Sequence, residues 1–346
     1  METAERVALV RARAVEVVTE PELDALFARE AHPRAYIGYE PSGRVHIGGL
    51  VTVLKLRDLI AADCEVTVLL ADWHAWINEK LEGSLERIEA AGRYLEATFT
   101  ALGVDPARVD YRFAHELVGR PDYWARVIRI AKATSVARTK RAMTVLGREE
   151  AEAKLDTAKL FYPAMQAADI FEMKVDLAYA GLDQRRAHIL AREAAQHYGW
   201  PVPVAVHTPL VSSLAGGGRM DVVDGVERKM SKSDPSAAIT VPCDPATIPK
   251  KIGAAFCPAK EVDGNPVLEI ARWVVLPWEQ KLAVERPEKF GGAVTFGSDA
   301  ELVEAWTGGK LHPQDLKGAV AAALQRIVEP ANRYFAEHPG ALPPGL

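Results

Sequence analysis

Cysteine is scarce in this chain, with three residues among 346. Cys64, Cys243 and Cys257 lie far apart and form no C-x-x-C pair, so neither a cysteine zinc site nor a disulfide framework is indicated. A reducing compartment fits that usage. Long apolar runs are lacking too: nowhere do 18 apolar residues follow one another, and the start Met1-Glu2-Thr3-Ala4-Glu5 has no basic segment ahead of an apolar core. The expectation is a cytoplasmic protein that neither spans nor contacts a membrane. An excess of positive charge is missing as well, because 42 Lys and Arg against 47 Asp and Glu leave a net charge of −5. A generally basic nucleic-acid binder is thereby disfavoured, and any contact with RNA has to be regional. No internal repeat or low-complexity block is present. What remains, 49% hydrophobic and 26% charged, suits a globular chain with one large core or two domains, and names no function.

Apolar, β-rich runs recur at Ala35 to Tyr39, Glu65 to Ala71, Val109 to Ala114, Asp176 to Gly181 and Pro203 to His207, separated by segments of helical periodicity. This alternation predicts an α/β fold, a doubly wound parallel sheet of Rossmann-like type. In such sheets ligands bind at the carboxyl ends of the strands, where Tyr36 to His46, Asp72 to His74 and Gly181 to Arg186 would lie. Asp122 to Met173 reads as consecutive helices, longer than one crossover requires. Ser212 to Gly218 reads as a flexible connection that Arg219 to Glu227 extends. From Thr247 onward the pattern is mainly helical, including Pro313 to Ala336, and Pro339 to Leu346 reads as a frayed tail.

Two segments carry chemistry. Tyr39-Glu40-Pro41-Ser42-Gly43-Arg44-Val45-His46-Ile47-Gly48-Gly49 follows a strand and precedes a helix over Leu50 to Ala62. A strand, a glycine turn and a helix N-terminus offer backbone N–H groups to phosphate, with Gly43, Gly48 and Gly49 permitting close approach and the His46 ring N–H within reach. Lys229-Met230-Ser231-Lys232-Ser233 supplies two ammonium groups flanked by hydroxyls in a stretch without periodicity, which suits a loop closing over a polyanion. Together they read as the two halves of an ATP-polyphosphate site.

This pair resembles the HIGH-like and KMSKS motifs of class I aminoacyl-tRNA synthetases. Tyr36 to Gly43, Leu70 to Ala75, Tyr162-Pro163-Ala164-Met165-Gln166-Ala167-Ala168-Asp169, Gly181 to Arg186 and Leu311 to Lys317 are similar to blocks of the archaeal/eukaryotic tyrosyl-tRNA synthetases, in that family's order and over most of the chain. The resemblance implies a catalytic domain over 1–217 with a helical dimerisation insertion at about 118–173, a lysine loop and linker over 218–246, and a helical anticodon-binding domain over 247–346. It further implies a homodimer that activates L-tyrosine with ATP, accompanied by Mg²⁺, and transfers it to tRNA(Tyr), without a metal site of its own. His46, Lys229 and Lys232 would be catalytic; Gly43, Gly48, Gly49, Met230, Ser231 and Ser233 would join them around ATP. Tyr36 and Asp169 match positions that hold the substrate phenol, and Tyr162, Gln166 and Gln184 those that hold its ammonium. Gly38, Glu40, Ala71 and His74 complete the implied tyrosine pocket. Arg141, Arg185 and Arg186, with Arg138 and Lys140 nearby, match contacts to the acceptor end of tRNA, and Phe290, His312, Pro313 and Asp315 match those to the anticodon.

Plainer readings stand beside these. Gln166 and Asp169 share a helix face that could be a solvated one. Asp72 and His74 could line the pocket or cap the turn, the arginine clusters could be solvated faces, and His312-Pro313 could simply start the last helix. Two departures from the motifs are visible: Gly49 stands where a second histidine would, and Lys232 where many archaeal-type relatives carry serine. Rival functions are a tryptophanyl enzyme, against which the Tyr36 and Asp169 pair argues, and a paralogue that passes its adenylate to an acceptor other than tRNA.

Overall fold

The computed structural model describes residues 1–144, 156–216 and 238–346. Its strands are β1 (Glu16–Val18), β2 (Arg34–Tyr39), β3 (Val45–His46), β4 (Glu65–Leu70), β5 (Val109–Phe113), β6 (Leu177–Gly181), β7 (Val204–Thr208), β8 (Thr240–Val241), β9 (Leu282–Val284) and β10 (Val294–Phe296). Six of them form the central sheet in the order β1-β7-β6-β2-β4-β5. β2, β4, β5, β6 and β7 are mutually parallel and lie within a residue or two of the five expected strands. All five positions of β7 are buried, as expected for a strand covered on both faces, which is why these strands read as unbroken apolar runs.

β1 was not foreseen. It pairs antiparallel with β7, Glu16 opposite His207, and makes the sheet mixed. Its three half-buried residues are too few to show a period, so only tertiary pairing reveals it. The strand order reverses at β2, which has β4 and β5 on one side and β6 and β7 on the other. A crevice must open beyond the carboxyl ends of β2 and β6.

Between β5 and β6 the helices Pro121–Lys132, Val136–Thr144 and Thr157–Glu172 occupy the stretch read as consecutive helices. Asp156 caps the last of them by accepting from the Lys159 amide at 3.0 Å. With the Arg185–Tyr198 helix they enclose a small apolar core that includes Tyr36, Leu69 and Tyr123 and lies under the crevice. A larger core runs from Val7 through the Leu50–Ala61 and Leu85–Ala101 helices into the C-terminal region, as far as Phe335.

That region is helical as expected, ending in the 25-residue Pro313–Glu337 helix, but it also carries a β9–β10 hairpin whose strands are too short to read from sequence. Two loop readings are corrected. In the part described, the connection after β7 is pinned: buried Glu269 accepts from the Ser212 amide at 2.7 Å and from its hydroxyl at 3.0 Å. Pro339–Leu346 is docked, with Leu342 and Leu346 packed on the larger core and Arg44 Nε donating to the Leu346 oxygen at 2.9 Å. A Pro- and Gly-rich composition had concealed both contacts. No described helix is long and apolar enough to cross a membrane.

Candidate active site

The crevice has a volume of about 620 Å³. The carboxyl end of β2 delivers Tyr36, Ile37, Gly38 and Tyr39 to it, and Glu40 follows just past the strand. A Cβ at Gly38 would stand 2.5 Å from the Tyr36 hydroxyl, so glycine leaves the room the phenol occupies. The Thr157–Glu172 helix delivers Tyr162, Gln166 and Asp169, spaced four and then three apart along one face. That face turns to the crevice rather than to solvent. Ala71 and His74 enter from the end of β4, and Gln184 from the turn after β6.

Asp169 lies at the bottom, 1% exposed. Its Oδ1 accepts from the Tyr123 hydroxyl at 2.9 Å, and its Oδ2 is 3.2 Å from His74 Nε2. The His74 ring is turned so that neither nitrogen makes an aligned hydrogen bond with the described residues. Burial is the largest single influence and disfavours a charged His74, yet Asp169, Glu40 and Asp72 together outweigh it and hold the imidazole above its ordinary pKa. Burial, reinforced by Asp169, pushes Tyr36 and Tyr123 well above the ordinary phenol range, so both stay neutral donors. Tyr123 escaped the sequence reading, because on an amphipathic helix it is indistinguishable from core.

Asp72 resolves the other way from His74. Its Oδ1 accepts from the amides of Trp73 at 2.9 Å and His115 at 3.1 Å, and Oδ2 meets the His115 ring at 2.5 Å. It fixes the start of the Asp72–Ile77 helix and leaves the crevice wall to His74.

Gln166 Nε2 donates to Gln184 Oε1 at 3.1 Å, and Gln184 Nε2 to Asp183 at 3.1 Å, a chain of amide and carboxylate oxygens suited to an ammonium group. Glu40 is held by Asn78 and lies 3.8 Å from Lys80; Asp183, Asn78 and Lys80 also line the crevice and were not picked out beforehand.

The end of the crevice read from sequence as the phosphate side is built from β3 and the turn after it. His46 caps the Ile47–Gly49 turn, its Nδ1 accepting from the Gly48 amide at 3.1 Å. An accepting Nδ1 leaves the neutral ring's proton on Nε2, a donor for a phosphate oxygen. A Cβ at Gly48 would lie 2.8 Å from that ring, hence the glycine. The turn's amides are largely spent: Ile47 donates to Ile239, Gly48 to His46 and Leu50 to Ile47. Gly43, with φ of 121°, turns the chain before β3 and lies outside the crevice wall. Lys229, Met230, Ser231, Lys232 and Ser233 lie outside the described residues, as do Gly217 to Glu227. Where the chain resumes, β8 pairs at once with β3, Thr240 opposite His46.

A family model for class I tRNA synthetases (W and Y) matches residues 28–329. The tyrosine–tRNA ligase of Aeropyrum pernix is 48% identical over 337 residues, covering 95% of this chain and 93% of that protein. The chain belongs to the tyrosyl-tRNA synthetase family. The crystal structure of the tyrosyl-tRNA synthetase from A. pernix superimposes with a TM-score of 0.88 at 43% identity, covering 99% of this chain and 97% of that one. That of the Pyrococcus horikoshii enzyme complexed with L-tyrosine gives 0.91 at 40%, covering 99% and 98%. A tryptophanyl-tRNA synthetase from A. pernix, at 19% identity and a TM-score of 0.70, shares the fold alone.

The residues that the family resemblance gives to tRNA fall in two places. Arg138 Nη2 donates to the Arg186 carbonyl at 3.4 Å and Arg186 Nη1 to the Arg141 carbonyl at 3.1 Å, so two clusters far apart in sequence form one basic patch. Arg185 in the same patch is paired with Glu16 at 2.8 Å. In the C-terminal region Phe290 is 60% exposed, and Arg286 ties its loop to the segment before the last helix by donating to Gly292 at 2.6 Å and Lys310 at 2.8 Å. His312 caps that helix through Gln314, Pro313 opens it, and Asp315 lies in its first turn.

Proposed function

We propose that this tyrosine–tRNA ligase performs both of its steps in the crevice between β2 and β6, and the observation that carries the assignment is the floor where Tyr36, Tyr123 and His74 surround Asp169. The substrate phenol donates to Asp169 and accepts from Tyr36, while Tyr162, Gln166 and Gln184 hold its ammonium. A phenylalanine ring would leave that buried carboxylate and hydroxyl unpaired, a costly outcome, and an indole has no oxygen to place there.

In the first step a tyrosine carboxylate oxygen bonds to the α-phosphorus of ATP, and the bond to pyrophosphate breaks. Charge grows on the leaving oxygens, so positioning and cations do most of the work. His46 Nε2–H serves the phosphates from the helix side, and Lys229 and Lys232 serve them from the lysine segment. Mg²⁺ fits this arrangement as a companion of ATP: the turn offers no carboxylate, and Mg²⁺ is held largely by substrate phosphates and waters. When bound it would neutralise phosphate charge. In the second step the terminal ribose hydroxyl of tRNA attacks the adenylate carbonyl and AMP leaves. The arginine patch serves the acceptor end, and Phe290, His312, Pro313 and Asp315 serve the anticodon by stacking and edge recognition.

A homodimer through residues 118–173 is supported by Ile128 and Val136, which stand 46% and 63% exposed on the helices of that stretch. Pyrophosphate exchange and tRNA charging with each of the twenty amino acids test the assignment. Tyrosine alone should support both; best activity with tryptophan, or exchange without charging, would overturn it.

A further inference from the structure

Tyr94, in the Leu85–Ala101 helix, is fully buried and takes no part in the reaction described above. Its hydroxyl accepts from the Val45 amide at 3.1 Å and donates to the Val241 carbonyl. Val45 and Val241 face each other across the β3–β8 pair, in which His46 faces Thr240. One phenol oxygen therefore bridges the strand that ends in His46 and the strand that follows the lysine segment. A ladder of two residues per strand cannot hold its own spacing in isolation, so the bridge supplies what the pairing lacks. The ring is seated from the far side: Phe335 packs against it with centroids 5.4 Å apart, and Asn332 of the same helix accepts from the Cys243 amide at 2.9 Å. Burial keeps the phenol protonated, so it remains a donor to Val241.

We propose that Tyr94 is a positioning residue of the ATP site, whose hydroxyl sets the spacing of β3 and β8 and through it the placement of His46 and the Gly49 turn, without touching the nucleotide. The proposal rests on the ATP reading given above. Nothing in the tyrosine pocket touches this bridge, so its loss should act on one substrate.

Tyr94→Phe keeps the ring and removes only the oxygen. In tyrosine-dependent pyrophosphate exchange the KM for ATP should rise roughly three- to tenfold, the equivalent of one buried hydrogen bond, while the KM for tyrosine stays within about twofold. Amide exchange followed by mass spectrometry should show the Val45 amide protected in the wild type and exposed in the variant. Equal losses for both substrates would mark a merely structural residue and overturn the proposal, and so would unchanged kinetics or a Val45 amide that exchanges freely in the wild type. A wild type without tyrosine-dependent exchange would sink the enzymatic reading instead, while the Val45 amide would still decide whether the bridge exists.

Discussion

At the scale of single residues, the floor of the crevice and a buried histidine pair make different demands. Asp169 is a carboxylate sealed from water with a donor on one oxygen and an imidazole beside the other, so its worth to the enzyme depends on what fills the remaining position. Asp169→Ala should erode the preference for tyrosine over phenylalanine roughly ten- to hundredfold in kcat/KM for activation, and Tyr36→Phe more mildly. Selectivity left intact would show that the phenol binds elsewhere. His188 and His207 are stacked with their ring nitrogens 3.1 Å apart, and His207 meets Glu16 at 2.8 Å. Burial, and then the neighbouring imidazole, pushes His188 down to about 3, and burial lowers His207. Unfolded imidazoles take up protons below about pH 6.5 while the folded His188 does not, so the unfolded state binds more protons as pH falls towards 3. Stability should therefore drop in that window by about 1.4 kcal/mol per pH unit for this group, and His188→Asn should flatten the fall in urea titrations between pH 7 and 5. An equally steep fall in the variant would put the acid sensitivity elsewhere.

At the scale of elements, the β3 strand and the turn after it are closely packed at the glycines. A Cβ at Gly49 would lie 3.0 Å from Val45 Cγ1 and 3.5 Å from the Tyr39 hydroxyl, so the space a histidine would need there is already filled. Gly49→Ala should cost about 1–3 kcal/mol of stability by overpacking and slow tyrosine-dependent pyrophosphate exchange. Val45→Ala in the same chain should restore part of both, because the added methyl then meets vacated volume. Strictly additive losses in the double variant would mean that the two side chains do not compete.

At the scale of the whole molecule, the last helix is about 37 Å long, with Asp315 in its first turn and Asn332, which holds the Cys243 amide just after β8, near its far end. Asp315 is remote from the crevice, so Asp315→Ala should leave tyrosine-dependent pyrophosphate exchange within about twofold while lowering charging of tRNA roughly ten- to hundredfold. Equal loss in both assays would place Asp315 in the chemistry of activation.

Residues 1–346 already determined the five parallel strands, the helix after the glycine turn and the last helix, because each is long enough to show its period or is bounded by its own turn and cap signals. The glycine and lysine motifs suggested a polyphosphate site, since that chemistry needs cations and close backbone approach at fixed local spacing; the lysine motif lies outside the described residues. Elements of two or three residues were invisible: β1, β3, β8, β9 and β10 exist through their partners alone. The same holds for roles. Whether Asp72 or His74 lined the crevice, whether Asp169 lay on a wet or a dry face, and that Tyr123 is the carboxylate's donor were decided by packing between helices far apart in sequence. Local pattern records which residue types a backbone favours, whereas burial and pairing are set by what the rest of the chain brings to each side, and only the tertiary structure holds that information.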